Sequence, residues 1–135
     1  MSQVAGSGTD ARQILEGRRV LVVEDFALIA DEIREILEDQ GAVVIGPSAK
    51  IEQALKAIDK HEPELAVLDV NLDGTPAFPV ADELARRKVP YILATGYDES
   101  HVPEAYLSTP RITKPFTSTE LVTTLARAYQ NRAEA

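Results

Sequence analysis

The stretch Val20-Leu21-Val22-Val23 is apolar at every position. It lacks the alternation of a half-wet strand and so predicts a short β-strand covered on both faces. Ala42 to Ile45, Leu65 to Leu68, Tyr91 to Ala94 and the brief Ile112-Thr113 predict four more strands. Between these runs, apolar residues fall at helical spacing. Ile29, Ile33, Ile36 and Leu37 make one stripe, and Ile51, Ala54, Leu55 and Ile58 a second. Ala77, Val80, Ala81 and Leu84 make a third, and Leu121, Val122, Leu125 and Tyr129 a fourth.

Turn and cap residues punctuate the same segments. Gly41 is placed to end the first helix, and Gly46-Pro47 to close the second strand. Ser48 is read as the cap of the second helix, and Thr75-Pro76, after the Asp73-Gly74 loop, as the start of the third. Thr117 and Glu120 form a capping box, with Phe116 stapled onto Leu121. Residues 96–110 leave room for one short helix at most, and residues 1–16, with Gly6, Ser7 and Gly8, are expected to be a flexible tail. Strands buried on both faces and alternating with helices predict an α/β fold. The expected form is a flavodoxin-like, doubly wound, five-stranded parallel sheet, order 2-1-3-4-5, with helices on both faces.

Composition narrows the chemistry. A chain of 135 residues is one domain, and with no cysteine it has neither a disulfide frame nor a thiolate ligand. The N-terminal residues do not resemble a signal peptide, and no run approaches the ~20 apolar residues of a membrane span. A cytoplasmic protein without membrane insertion is the expectation. Twenty-two acidic residues against 14 basic ones leave a formal charge of −8, which argues against a nucleic-acid partner. Arg18-Arg19 and Arg86-Arg87-Lys88 read as strand-flanking punctuation.

In a doubly wound sheet, ligands bind beyond the carboxyl ends of the strands, where strand order reverses. The first strand ends in Glu24-Asp25, the third in Asp69, the fourth in Thr95 and the fifth in Lys114. Three carboxylates in one crevice repel one another unless a cation joins them, and an oxygen-only set suits Mg²⁺. Lys114 adds a positive charge and Thr95 a hydroxyl, completing a pocket for a tetrahedral dianion beside a carboxylate nucleophile. Each residue alone has a plainer reading, as turn, cap or solvated charge; their coincidence carries the hypothesis.

With these residues in place, the sequence resembles the receiver domains of two-component response regulators over Arg18 to Gln130. The acidic pair Glu24-Asp25, the acceptor Asp69, Thr95 and Lys114-Pro115-Phe116 match. The spacings of 44, 26 and 19 positions fit as well (69 − 25, 95 − 69, 114 − 95). The resemblance implies a receiver domain over 17–132 with no output domain. It implies Mg²⁺ held by Asp25, Asp69, the Asn71 carbonyl and, through water, Glu24, and a cis Lys114-Pro115 peptide. Asp69, Thr95 and Lys114 would carry the phosphorylation chemistry. A histidine kinase or histidine phosphotransfer protein would donate the phosphoryl group, and a downstream protein would respond.

Receivers commonly place an aromatic three positions before the lysine, where this chain has Arg111. Ala94-Thr95-Gly96-Tyr97 resembles instead the FATGUY group of single-domain receivers, which makes Tyr97 the candidate switch residue or, on the plainer reading, a surface tyrosine. His61 and His101 lie too far apart in sequence for a zinc site. Two competing functions remain. One is a receiver-like binding module that does not use phosphorylation; the other is a magnesium phosphatase, disfavoured because Ala27 stands where its second aspartate is expected.

Overall fold

A computed structural model describes residues 7–96 and 102–134 of the chain. The elements run α1 (Ser7–Leu15), β1 (Arg19–Val23), α2 (Ala27–Asp39), β2 (Val43–Ser48), α3 (Ile51–His61), β3 (Leu65–Asp69), β4 (Asn71–Leu72) and β5 (Thr75–Pro76). They continue with α4 (Phe78–Arg86), β6 (Tyr91–Thr95), a 3₁₀ turn (Glu104–Tyr106), β7 (Arg111–Thr113), α5 (Ser118–Gln130) and a last 3₁₀ turn (Asn131–Glu134). The main sheet has the order β2-β1-β3-β6-β7, and all its pairings are parallel. This is the expected 2-1-3-4-5 arrangement, with β6 and β7 as the fourth and fifth core strands.

The uninterrupted apolar strands separate two cores. Val20, Val22, Leu65, Val67, Ile92 and Ala94 turn to the layer of α1, α2 and α5. Leu21, Val23, Ala66, Leu68 and Leu93 turn to the layer of α3 and α4. No described helix is long and apolar enough to cross a membrane.

Three expectations need correction. The tail expected over residues 1–16 is a helix from Ser7 to Leu15, with Ala11 and Leu15 buried in the α2–α5 layer. Its stripe (Ala11, Ile14, Leu15) is too short to stand out in sequence, and packing rather than propensity stabilises it. The Gly17 N–H on the Gly41 carbonyl, 2.8 Å, ties its end to the domain. Leu15→Ala is expected to cost about 2–4 kcal/mol in urea unfolding, the range for emptying a fully buried leucine site. Next, Ser48 does not cap α3, whose N-cap is Lys50; β2 continues through Gly46-Pro47 to end at Ser48. Finally, Thr75-Pro76 does not open a helix. It pairs with Asn71–Leu72 across the Asp73-Gly74 turn, both of whose residues have positive φ, and Pro79 takes the helix-start role. The capping box of Thr117 and Glu120 forms as expected.

Candidate functional site

The carboxyl end of β1 is set by an irregularity in its partner. Pairing moves from Leu21 opposite Ile45 to Val23 opposite Ser48, so β2 spends one extra residue around a cis Gly46-Pro47 peptide. Gly46 is required there. Its φ is +96°, and a Cβ would stand 2.8 Å from the Ser48 nitrogen and 3.0 Å from the Val22 carbonyl oxygen. The bulge brings the Ser48 carbonyl to the Glu24 N–H, 2.9 Å. Gly46 and Ser48 thus position the acidic pair; in sequence they look like ordinary turn and cap residues. Gly46→Ala is expected to destabilise the fold by about 2 kcal/mol or more, read by denaturant unfolding.

Glu24 is almost wholly buried, and its Oε2 accepts the Phe26 N–H at 3.1 Å. Its Oε1 lies 3.0 Å from Lys114 Nζ yet makes no hydrogen bond, so this contact is ionic only. Asp69, the last residue of β3, is also buried; its Oδ1 accepts the Asn71 N–H at 3.2 Å and its Oδ2 the Lys114 ammonium at 3.2 Å. One oxygen from each of Glu24, Asp25 and Asp69 lies within 4.8 Å of the others. Burial first, and the charge of Glu24 second, push the Asp69 carboxyl up to about 7, against the pull of the Asn71 N–H and Lys114. For Lys114, burial opposes the charge, but Asp69 and Glu24 outweigh it and hold the pKa above its ordinary value.

These residues fit a divalent cation. Three carboxylates face one ammonium, a buried oxygen of Glu24 lacks a hydrogen bond, and all the donors are hard oxygen. A cleft of about 690 Å³ opens beside Asp25, with Lys50, Leu72, Asp73 and Thr75 among its walls.

Thr95 is buried at the end of β6 and its hydroxyl donates to the Ile112 carbonyl at 3.4 Å. Its own carbonyl accepts the Lys114 N–H at 2.7 Å, which ties the two residues together. The Lys114-Pro115 peptide is cis, as the resemblance implies. Asn71 follows Asp69 by two positions, and its side-chain oxygen is held by the Gly74 N–H at 2.7 Å. Arg111, half-buried on β7, reaches the Leu107 carbonyl at 3.4 Å. Tyr97 and His101 lie outside the described residues; His61 is exposed at the end of α3. The basic pairs are engaged with acids: Arg18 and Arg19 with Glu64, Arg86 and Arg87 with Glu83.

A parallel sheet in this order, with acidic side chains and a lysine gathered at its carboxyl edge, is the architecture of a receiver domain. The chain belongs to the response regulator receiver domain family, whose model matches residues 20–126.

Among solved structures the chain is similar to SdrG from Sphingomonas melonis Fr1, at 33% identity and a TM-score of 0.77, covering 84% of this chain and 97% of that one. It is also similar to the receiver domain of the PhyR response regulator from Erythrobacter litoralis, at 28% identity and a TM-score of 0.75, covering 84% and 90%. The transcriptional regulatory protein PdtaR of Mycobacterium tuberculosis is 28% identical over 140 residues, 97% of this chain and 65% of that protein. The sensory transduction protein LytT of Bacillus anthracis is 33% identical over 113 residues, 81% and 46%. The chain therefore spans just under two thirds of PdtaR and about half of LytT.

Proposed function

We propose that this chain is a cytoplasmic phosphorylation switch in which Asp69 accepts a phosphoryl group from a histidine kinase or histidine phosphotransfer protein. One observation carries the reading: Glu24, Asp25 and Asp69 converge within 4.8 Å, with the Lys114 ammonium 3.2 Å from Asp69. The P–N bond of the donor phosphohistidine breaks, its electron pair stays on the imidazole nitrogen, and a P–O bond forms to the Asp69 carboxylate. Glu24, Asp25, Asp69 and the Asn71 carbonyl would hold Mg²⁺, which supplies neutralising charge for the phosphoryl oxygens. Lys114 leaves its bridge between the two carboxylates to pair with a phosphoryl oxygen. Thr95 gives up the Ile112 carbonyl to donate to another.

Those two movements act on the β6–β7 side of the sheet, which is the surface a downstream protein would read. Tyr97, next to Gly96, is our candidate for the aromatic that follows Thr95. The chain's own residues assist only its own phosphorylation and dephosphorylation, and the phosphoryl group either controls a protein partner or passes along a relay. Incubation with acetyl phosphate and Mg²⁺ followed by intact mass tests the reading. A gain of one phosphoryl group is expected. No gain, with acetyl phosphate or with candidate kinases, favours a binding module that does not use phosphorylation.

A further inference from the structure

The chain leaves Asp69 into the β4–β5 hairpin, whose hydrogen-bond alternation decides where Asn71 points. Leu72 pairs with Thr75 and Asn71 with Pro76 across the Asp73-Gly74 turn, where φ is +52° and +88°. Asp-Gly is a sequence that accepts positive φ at both positions of a two-residue turn. One step further from the turn, the Ala77 N–H reaches the Val70 carbonyl at 3.0 Å, so that rung is hydrogen-bonded. Antiparallel rungs alternate, which makes Asn71–Pro76 a rung without hydrogen bonds. Pro76 has no N–H to offer in any case. The N–H and C=O of an extended residue leave the strand on one side, so both groups of Asn71 face away from the hairpin partner. The N–H shows where that side lies, because it donates to Asp69 Oδ1 at 3.2 Å. No rung of the hairpin claims the Asn71 carbonyl, which is turned to the side of the acidic cluster.

Val70 and Leu72, on either side of Asn71, are buried in the α3–α4 core and anchor the strand. The turn is fastened separately, by the Gly74 N–H donating to Asn71 Oδ1 at 2.7 Å. That bond starts from the side chain of the residue whose carbonyl faces the carboxylates. Rigidity at this point discriminates between ions. Mg²⁺ demands near-ideal octahedral geometry with oxygens at about 2.1 Å, whereas Ca²⁺ accepts longer and more variable contacts.

We propose that the Asn71 side chain is a positioning residue for cation selectivity: by holding the Gly74 N–H it fixes the Asn71 carbonyl and favours Mg²⁺ over Ca²⁺ at the cluster of Glu24, Asp25 and Asp69. The inference rests on the cation reading above and names what tunes that site. Replacing the side chain leaves the carbonyl in the backbone, so a variant loosens the hold without deleting the donor.

The test compares Mg²⁺ and Ca²⁺ dissociation constants from amide chemical-shift titrations of the full chain at constant ionic strength. Asn71→Ala is expected to weaken Mg²⁺ binding about three- to tenfold, the range for one lost hydrogen bond, and Ca²⁺ binding by less than about twofold. Asn71→Asp keeps an acceptor for the Gly74 N–H; its added charge strengthens binding of both ions, and the ratio of the two constants is expected to stay at the wild-type value. Leu15→Ala, which destabilises the fold away from the site, is also expected to leave the ratio unchanged. An unchanged ratio in Asn71→Ala, or an equal change in Leu15→Ala or Asn71→Asp, would overturn the proposal and leave the cation reading standing. A wild-type chain that binds neither ion would overturn that reading and this inference with it. Hydrogen exchange of the Gly74 amide in chelator isolates the hold itself. It is expected to speed up in Asn71→Ala and not in Asn71→Asp, and unchanged exchange in Asn71→Ala sinks the positioning role whether or not an ion binds.

Discussion

Asp69→Asn protein, mixed with acetyl phosphate and Mg²⁺, takes up no phosphoryl group, yet in a chelating buffer near pH 7.5 it unfolds at a higher temperature than the wild type. The first result follows because the amide oxygen of asparagine is a poor nucleophile and the acyl phosphate needs a carboxylate. The second follows from the metal-free electrostatics. Asp69 is buried beside Glu24, and these two costs exceed the help of Lys114 and the Asn71 N–H, which is why its pKa is raised. Removing the charge relieves the repulsion and leaves Lys114 paired with Glu24, a gain on the order of 1–2 kcal/mol.

The sign fixes a pH window. A carboxyl whose folded pKa is about 7 against 3.8 in the unfolded chain binds its proton more tightly when folded. Wild-type stability in chelator therefore falls as pH rises through that interval, and this component of the slope is absent in Asp69→Asn. Thermal denaturation of both proteins across the interval checks the prediction.

Magnesium is expected to reverse the penalty. A cation that binds the folded chain alone stabilises it by RT ln(1 + [L]/Kd), about 1.4 kcal/mol at ten times the dissociation constant. For a domain of this size that raises the melting temperature by roughly 5 °C. Asp25→Asn is expected to lose most of this gain and to slow labelling at least tenfold, since it removes a charged ligand oxygen from the three-carboxylate cluster. A melting temperature insensitive to Mg²⁺ in the wild type would contradict the cation assignment, whereas an equal gain in Asp25→Asn would contradict only that residue's role.

The sheet and the residues at its strand ends were legible from sequence for one physical reason. Strands covered on both faces are apolar along their length, so the first polar residue after each run marks the strand's carboxyl end. Glu24, Asp69 and Thr95 are those residues; Lys114 follows the polar Thr113 at the end of the short fifth strand, and the parallel order brings all four strand ends to one edge. Features that depend on packing between distant segments were not legible. The α1 helix has only three apolar positions and exists because α2 and α5 offer a surface to cover. Ser48 looks like a helix cap and serves instead through its carbonyl, and the bulge that places it turns on a contact between Gly46 and Val22 that no local pattern reveals. Pro76 and Pro79 both suit a helix start, and the short hairpin of β4 and β5 decides between them. The contacts of Tyr106 with the Phe78 ring and the Asp82 carboxylate join positions 28 and 24 residues apart (106 − 78, 106 − 82) and leave no trace in spacing.

The acceptor assignment meets its sharpest test in chemical mapping. An acyl phosphate on an aspartate is reduced by borohydride to the alcohol, which converts that residue to homoserine, and peptide mass spectrometry then reads its position. Protein treated with acetyl phosphate and Mg²⁺ is predicted to carry homoserine at position 69, and none when a chelator replaces the cation. Homoserine at Glu24's neighbour Asp25 or at any other aspartate, with position 69 unmodified, would contradict the account.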